Sequence, residues 1–268
     1  MGLESRIDLY APTYSRFSET LHTEVRRETW GEEFGQSGWT TAGEQEKFIR
    51  LLDLKRGQLL LDIGCGSGGP TLRFAERTGV SAHGVDIHED GIATARKQAE
   101  QRGLLDRVTF EVCDAAAQLS FPADRFDAVM SVDAISHMSR RKEVLAEWGR
   151  VIRPGGKLLF TNASVLTGEA THEELWTRGS FGLQIFTAPD VDDRAIESAG
   201  LKLVSKEDTT EQVANVAQRW HDARAKRETG LREAEGSQIF EKLQQFLVVA
   251  SRLARERRLC RYVYVAEK

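Results

Sequence analysis

The sequence predicts a doubly wound α/β sheet, and three observations lead to that reading. Between residues 59 and 162, short apolar runs alternate with amphipathic stretches of helical spacing. That is the pattern of a parallel sheet covered by helices on both faces. The run LLLDIGCGSGG at 59–69 passes from an apolar strand straight into three alternating glycines, Gly64, Gly66 and Gly68, before a helix resumes. Acids then close the next two strand-like runs, Asp86 in AHGVDIHED and Asp114 in VTFEVCDAA.

In chain order, residues 5–35 are mixed polar and aromatic and read as one or two helices ahead of the loop GQSGWTTAG. A helix over 42–53 leads into the first strand, 59–63. Further strands follow at 80–85, 107–112, 126–132 and 157–162, with helices near 70–78, 90–102 and 140–152. Helix 90–102 puts Ile92, Ala95 and Ala99 on one face and Arg96, Lys97 and Glu100 elsewhere, with Asp90 as its expected N-cap. In RVIRPGGKLLF a helix end, a Pro-Gly-Gly turn and a strand succeed one another. Residues 164–188 look irregular and polar, and 189–199 form a helix ending at Gly200. LKLVSKED reads as a strand, and long helices are expected near 211–229 and 237–257. The second carries an apolar stripe of Ile239, Leu243, Phe246, Leu247, Ala250 and Leu253. CRYVYVAEK alternates like a final strand.

Composition narrows the function. The 268 residues suffice for one α/β domain with an appended cap. The net charge of −4 gives no electrostatic reason to expect nucleic acid as a partner. No apolar run approaches the ~18 residues that span a bilayer, and MGLESRIDLY lacks the pattern of a signal peptide. Cys65, Cys113 and Cys260 are far apart and read as free thiols in a reducing cytoplasm. His22, His83, His88, His172 and His221 are scattered, so no metal is expected.

The glycine turn lies where parallel α/β sheets bind nucleotide-like ligands. Gly64, Gly66 and Gly69 also satisfy G-x-G-x-x-G, and Asp86 follows about 20 residues later, so these features alone leave NAD open. Asp62 argues otherwise: its carboxylate repels a pyrophosphate and suits a ligand with an ammonium or sulfonium charge.

Asp62-Ile63-Gly64-Cys65-Gly66-Ser67-Gly68, Asp86, Cys113-Asp114-Ala115, Phe126-Asp127-Ala128-Val129 and Arg153-Pro154-Gly155-Gly156 stand in this order over roughly residues 40–165. Together they resemble a class I S-adenosylmethionine-dependent methyltransferase. The resemblance is to the small-molecule branch, with its quinone and sterol C-methyltransferases and natural-product O-methyltransferases. It implies a doubly wound, mostly parallel seven-stranded sheet with the final strand antiparallel. It also implies an N-terminal helical lid (1–41) and an S-adenosylmethionine-binding core (42–163). Core completion with a helical substrate cap (164–258) and the last strand (259–268) would follow. The implied activity is methyl transfer to O, N or C of a small molecule in secondary-metabolite or cofactor biosynthesis, with S-adenosylhomocysteine as product. The implied protein is a cytoplasmic monomer or homodimer without membrane insertion. An NAD-dependent oxidoreductase and a non-catalytic S-adenosylmethionine-binding protein are the competing readings.

The same resemblance implies residue roles. Asp62 would lie near the donor's amino group, and Gly64 and Gly66 beside its methionyl portion, with Gly68 completing the turn. Asp86 would accept both ribose hydroxyls, Ile87 would face the adenine, and Asp114 with Ala115 would meet the adenine amino group. Backbone carbonyls at Ser131 and Val132 would reach the donor's ammonium. Relatives often carry two histidines before the Met that follows. Here Ser136 replaces the first, and His137 remains as the candidate general base. Asn162 stands where some relatives keep an acid that orients the histidine, and an amide does not stabilise an imidazolium in that way. Tyr10 and Tyr14 are the candidate lid tyrosines, and Trp39 and Trp176 the candidate substrate contacts, with Phe17, Trp30, Phe181 and Phe186 as further aromatics.

Overall fold

The structure, a computed structural model, describes residues 14, 16, 19–180 and 182–268. Seven strands form one sheet: β1 (Leu59–Ile63), β2 (Ser81–Asp86), β3 (Val108–Val112), β4 (Phe126–Ser131), β5 (Ile152–Leu166), β6 (Lys202–Asp208) and β7 (Leu259–Glu267). Their order is β3-β2-β1-β4-β5-β7-β6. The first five pair in parallel, and β7 runs antiparallel between β5 and β6. The sheet is therefore mostly parallel, with its final strand reversed, as the resemblance implied.

The helices are α1 (Thr20–Trp30), α2 (Ala42–Leu52), α3 (Gly69–Thr78), α4 (Glu89–Gln101), α5 (Arg141–Val151), α6 (His172–Arg178), α7 (Val191–Ser198), α8 (Thr210–Ala225), α9 (Glu228–Glu235) and α10 (Ser237–Arg255). Among the described residues, no helix is long and apolar enough to cross a membrane. Successive residues of each central strand serve opposite faces. Leu61, Val129 and Leu158 pack with Leu145 and Trp148 of α5 and Ile196 of α7. Leu60, Ala128 and Leu159 pack with Phe48 of α2, Leu72 and Phe74 of α3 and Ile92 of α4. Burial on both faces explains why these strands read as continuous apolar runs. A third apolar cluster joins Val25 and Trp30 of α1 to Val216, Ala217 and Trp220 of α8 and Phe246 and Leu247 of α10.

Four local expectations differ from the structure. The Pro-Gly-Gly segment is not a turn between helix and strand. β5 begins at Ile152, and Gly155 and Gly156 exchange backbone hydrogen bonds with Lys268 at the end of the chain. A register shift between Phe126 and Ala128 on the β4 side absorbs the extra residues. The 164–188 segment contains α6, started by a capping box in which Thr171 and Glu174 bond each other's backbone N–H groups. The expected helix over 211–229 breaks at Lys226–Arg227 and resumes as α9. Asp90 lies in the first turn of α4, where its charge suits the helix dipole, while His88 occupies the cap position.

Candidate active site

The site opens where β1, β2, β3 and β4 end. After Ile63 the chain turns over β2: Gly64 N and Cys65 N both donate to Val85 O, at 2.8 and 3.1 Å. Gly64 has φ +74°, and a Cβ there would lie 2.3 Å from that of Ala134. Only glycine lets the β1 turn and the β4 turn approach so closely. Gly66 (φ +54°) sits under Tyr14, whose Oη would be 2.8 Å from an added Cβ. Tyr14 is buried, with its ring centroid 5.5 Å from that of His88. Gly68 starts α3 and packs against Ala95 and Phe110.

Asp86 is fixed by two backbone donors: Gly66 N to Oδ2 at 2.8 Å and His88 N to Oδ1 at 2.9 Å. A carboxylate has about four acceptor positions, so it keeps capacity for a diol. Ile87 beside it is 60% exposed, an apolar face open to a ring. Asp114 Oδ1 accepts from Ala116 N at 3.0 Å. Asp62 is buried, and Thr71 Oγ1 donates to its Oδ2 at 2.5 Å. Burial pushes its carboxyl up to about 7, the Thr71 hydrogen bond offsetting part and the Asp86 charge adding a little.

A cavity of about 210 Å³ collects most of the candidates: Tyr14, Trp39, Gly64, Asp86, Ile87, Asp114, Ala115 and His137 all line it. A smaller one of about 40 Å³ adjoins it through Ser37, Gly38, Gly64 and Val132, and Asp62 and Gly66 line that one. Ser131 is buried just behind the lining residue Val132 and lines neither. Trp176 is 43% exposed on α6 and is among neither set of lining residues. Tyr10, Phe17 and Phe181 lie outside the described residues.

His137 closes a single 3-10 turn, Ile135–His137. Its Nδ1 lies 2.6 Å from Leu183 O. A carbonyl only accepts, so Nδ1 carries the proton and Nε2 is the basic nitrogen. Burial holds the imidazole below its ordinary pKa despite that hydrogen bond, and the Arg178 charge lowers it further. Asn162 has no part in orienting it: its Nδ2 donates to Asp192 Oδ2 at 2.7 Å and to Thr187 Oγ1 at 3.2 Å.

Several residues at the site are joined by contacts that no sequence motif shows. Asp133, in the left-handed region at φ +56°, accepts from Trp39 N (2.8 Å), Thr161 Oγ1 (2.7 Å) and Arg261 Nε (2.8 Å). Arg261, fully buried on β7, also donates to Glu44 Oε1, Thr209 Oγ1 and Thr40 Oγ1 at 2.7–3.0 Å. Arg178 is buried with its guanidinium 4.8 Å from the Phe246 ring centroid and 5.5 Å from that of Trp39, two rings stacked at 6.0 Å. In the sequence, Phe246 shows only as part of a helical apolar stripe.

The residues present fit an adenosine-bearing cation. Asp86 is a preorganised diol acceptor, Ile87 and Ala115 offer apolar surface, and Asp62 waits in the side cavity to gain a counter-ion. A pyrophosphate, by contrast, would meet Asp62 and Asp86 at the same turn.

Comparison with known proteins agrees. Residues 60–156 match the methyltransferase domain family. The chain is 32% identical over 233 residues to 27-O-demethylrifamycin SV methyltransferase of Amycolatopsis mediterranei, covering 82% of each protein. It is 32% identical over 179 residues to methyltransferase GfsG of Streptomyces halstedii, spanning 64% of this chain and 63% of that protein. The cyclopropane synthase MmaA2 of Mycobacterium tuberculosis shares the fold, with a TM-score of 0.83 over 97% of this chain and 98% of that one at 16% identity. So does the [4+2]-cyclase SpnF, with a TM-score of 0.77 over 97% and 94% at 22% identity. The chain belongs to the class I S-adenosylmethionine-dependent methyltransferases. The fold alone does not choose a reaction, as the names of these two structural neighbours make plain.

Proposed function

We propose that this protein methylates a hydroxyl oxygen of a small organic molecule, with His137 as general base. The observation that carries this reading is that His137, with Nε2 as its basic nitrogen, lines the same cavity as Asp86, Ile87 and Asp114. Asp86 would hold the ribose diol, Ile87, Asp114 and Ala115 the adenine, and Asp62 the amino group. When bound, S-adenosylmethionine would supply an electrophilic sulfonium methyl, and the C–S electron pair would remain with the departing sulfur. His137 Nε2 receives the hydroxyl proton and later passes it to solvent. Trp39, Trp220, Phe246 and Met138 give the cavity apolar surface. Alignment of donor and acceptor in a dry site can itself remove ~7–11 kcal/mol of barrier. The relative named for 27-O-demethylrifamycin SV supports an oxygen acceptor in natural-product biosynthesis. The free cysteines support a reducing compartment, the cytoplasm.

The test is an acceptor screen with labelled methyl donor, followed by His137→Gln. The variant should lose ~10²–10⁴ in kcat while S-adenosylhomocysteine affinity is kept. Because the site lowers the imidazole pKa, the acid limb of the wild-type pH profile should lie below the usual histidine value near 6.5. Unchanged turnover in the variant removes His137 from the mechanism.

A further inference from the structure

Resting on the reading of His137 as the base, we infer that Arg141 and Asp192 are its positioning pair, a buried ion pair that fixes the turn carrying the imidazole. Neither is among the cavity's lining residues. Arg141 opens α5, and Asp192 lies in the first turn of α7. Both side chains are buried, with Arg141 Nε 2.9 Å from Asp192 Oδ1. Arg141 Nη1 also donates to Ile135 O, the first carbonyl of the 3-10 turn that ends at His137. The other oxygen of Asp192 accepts from Asn162 Nδ2 at 2.7 Å. One guanidinium therefore ties the His137 turn to α7.

The turn needs such an anchor. It has three residues, too few to hold a helical turn by themselves. The chain enters α5 through Arg140 at φ +58°, left-handed backbone that surrounding contacts must hold. Ile185 N donates to Ser136 O at 2.8 Å, and Leu183 O takes the Nδ1 proton of His137. A small shift of the turn would break that second hydrogen bond, which leaves Nε2 as the basic nitrogen. Stability alone does not account for the pair, because apolar side chains of similar volume often serve a buried position as well. A planar guanidinium holds a carbonyl and a carboxylate at once in a fixed fork, whereas an ammonium is a point charge on a flexible stem.

The test follows the ring nitrogens of His137 by nitrogen NMR in the protein loaded with S-adenosylhomocysteine, with His137→Gln assigning the signals. The wild type should show the Nδ1–H tautomer and titrate below the ordinary value of about 6.5. The double variant Arg141→Met, Asp192→Leu removes both charges together and leaves neither one buried alone. It should fold and bind S-adenosylhomocysteine as the wild type does, yet show a mixture of the two neutral tautomers and titrate closer to the ordinary value. With an acceptor from the screen, its kcat should fall about tenfold or more. Arg141→Lys, which keeps the cation, should lie between the two on every readout. A wild-type tautomer or an unchanged kcat in the double variant overturns the inference, since a pair serving the fold alone would move neither. Should that variant not fold, Arg141→Lys decides by the same two criteria. Failure of S-adenosylhomocysteine to bind the wild type fells the methyltransferase reading as well. Unchanged turnover in His137→Gln removes the base and this role for the pair with it. Normal ligand binding and an essential His137 whose tautomer ignores the pair fell this inference alone.

Discussion

Asp62 illustrates how much a motif residue owes to its surroundings. Sequence order identifies it as the acid ahead of the glycine turn, but only the fold reveals that it is buried with Thr71 as its hydrogen-bond donor. Burial raises its carboxyl from the ordinary 3.8 to about 7. A folded-state pKa above the unfolded one means that the folded protein binds the extra proton. The stability this gives is complete below about pH 4 and is lost as pH rises towards 7. An ammonium arriving beside Asp62 favours the ionised carboxylate and expels that proton. At about pH 6, S-adenosylhomocysteine binding should release up to about one proton, read as a calorimetric enthalpy that differs between buffers of different ionisation heat. Asp62→Asn should remove the difference, and equal enthalpies for the wild-type protein would show that no ammonium reaches this carboxyl. Arg178 is the opposite case. In TRGS it follows no motif, and its place at the site arises only because α6 carries it to Trp39 and Phe246, residues 139 and 68 positions away in the chain.

The element that makes the site is the turn after β1. Its glycine pattern was legible because close backbone approach leaves few alternatives to glycine, and Gly64 meets Ala134 where the sequence placed the ligand. Gly64→Ala should cost ~1–3 kcal/mol of stability and sharply weaken S-adenosylhomocysteine binding, as thermal shift with and without ligand would measure. Undiminished binding would show that the turn has room to spare. The core strands and helices were equally legible, since burial on both faces writes continuous apolar runs and amphipathic partners. The errors fall where local chemistry misleads. Pro-Gly-Gly signals a turn, yet antiparallel pairing with the chain end keeps it in β5. The capping box at Thr171 and Glu174 was present in the sequence as T-x-x-E, but its seven-residue helix is too short for periodicity to show.

At the scale of the molecule, α1 of the N-terminal segment packs on α8 and the two share one apolar cluster. Arg261 ties this region to the core, bridging Asp133 after β4, Glu44 of α2 and Thr40 of the preceding loop. These partners lie 128 to 221 residues away, so no sequence window contains them. Arg261→Leu would leave the buried Glu44 carboxylate and the half-buried Asp133 carboxylate without their cation and should cost ~3–5 kcal/mol in urea unfolding. A loss under about 1 kcal/mol, the worth of an exposed pair, would show that water reaches the cluster. Everything proposed for the site depends on what the turn between β1 and α3 holds. The most direct test is calorimetric titration of the wild type and Asp86→Asn with S-adenosylhomocysteine and, separately, with NADH. The account predicts one site for S-adenosylhomocysteine, weakened about tenfold or more by the substitution, and no heat with NADH. NADH binding in this cavity, with none for S-adenosylhomocysteine, would contradict it.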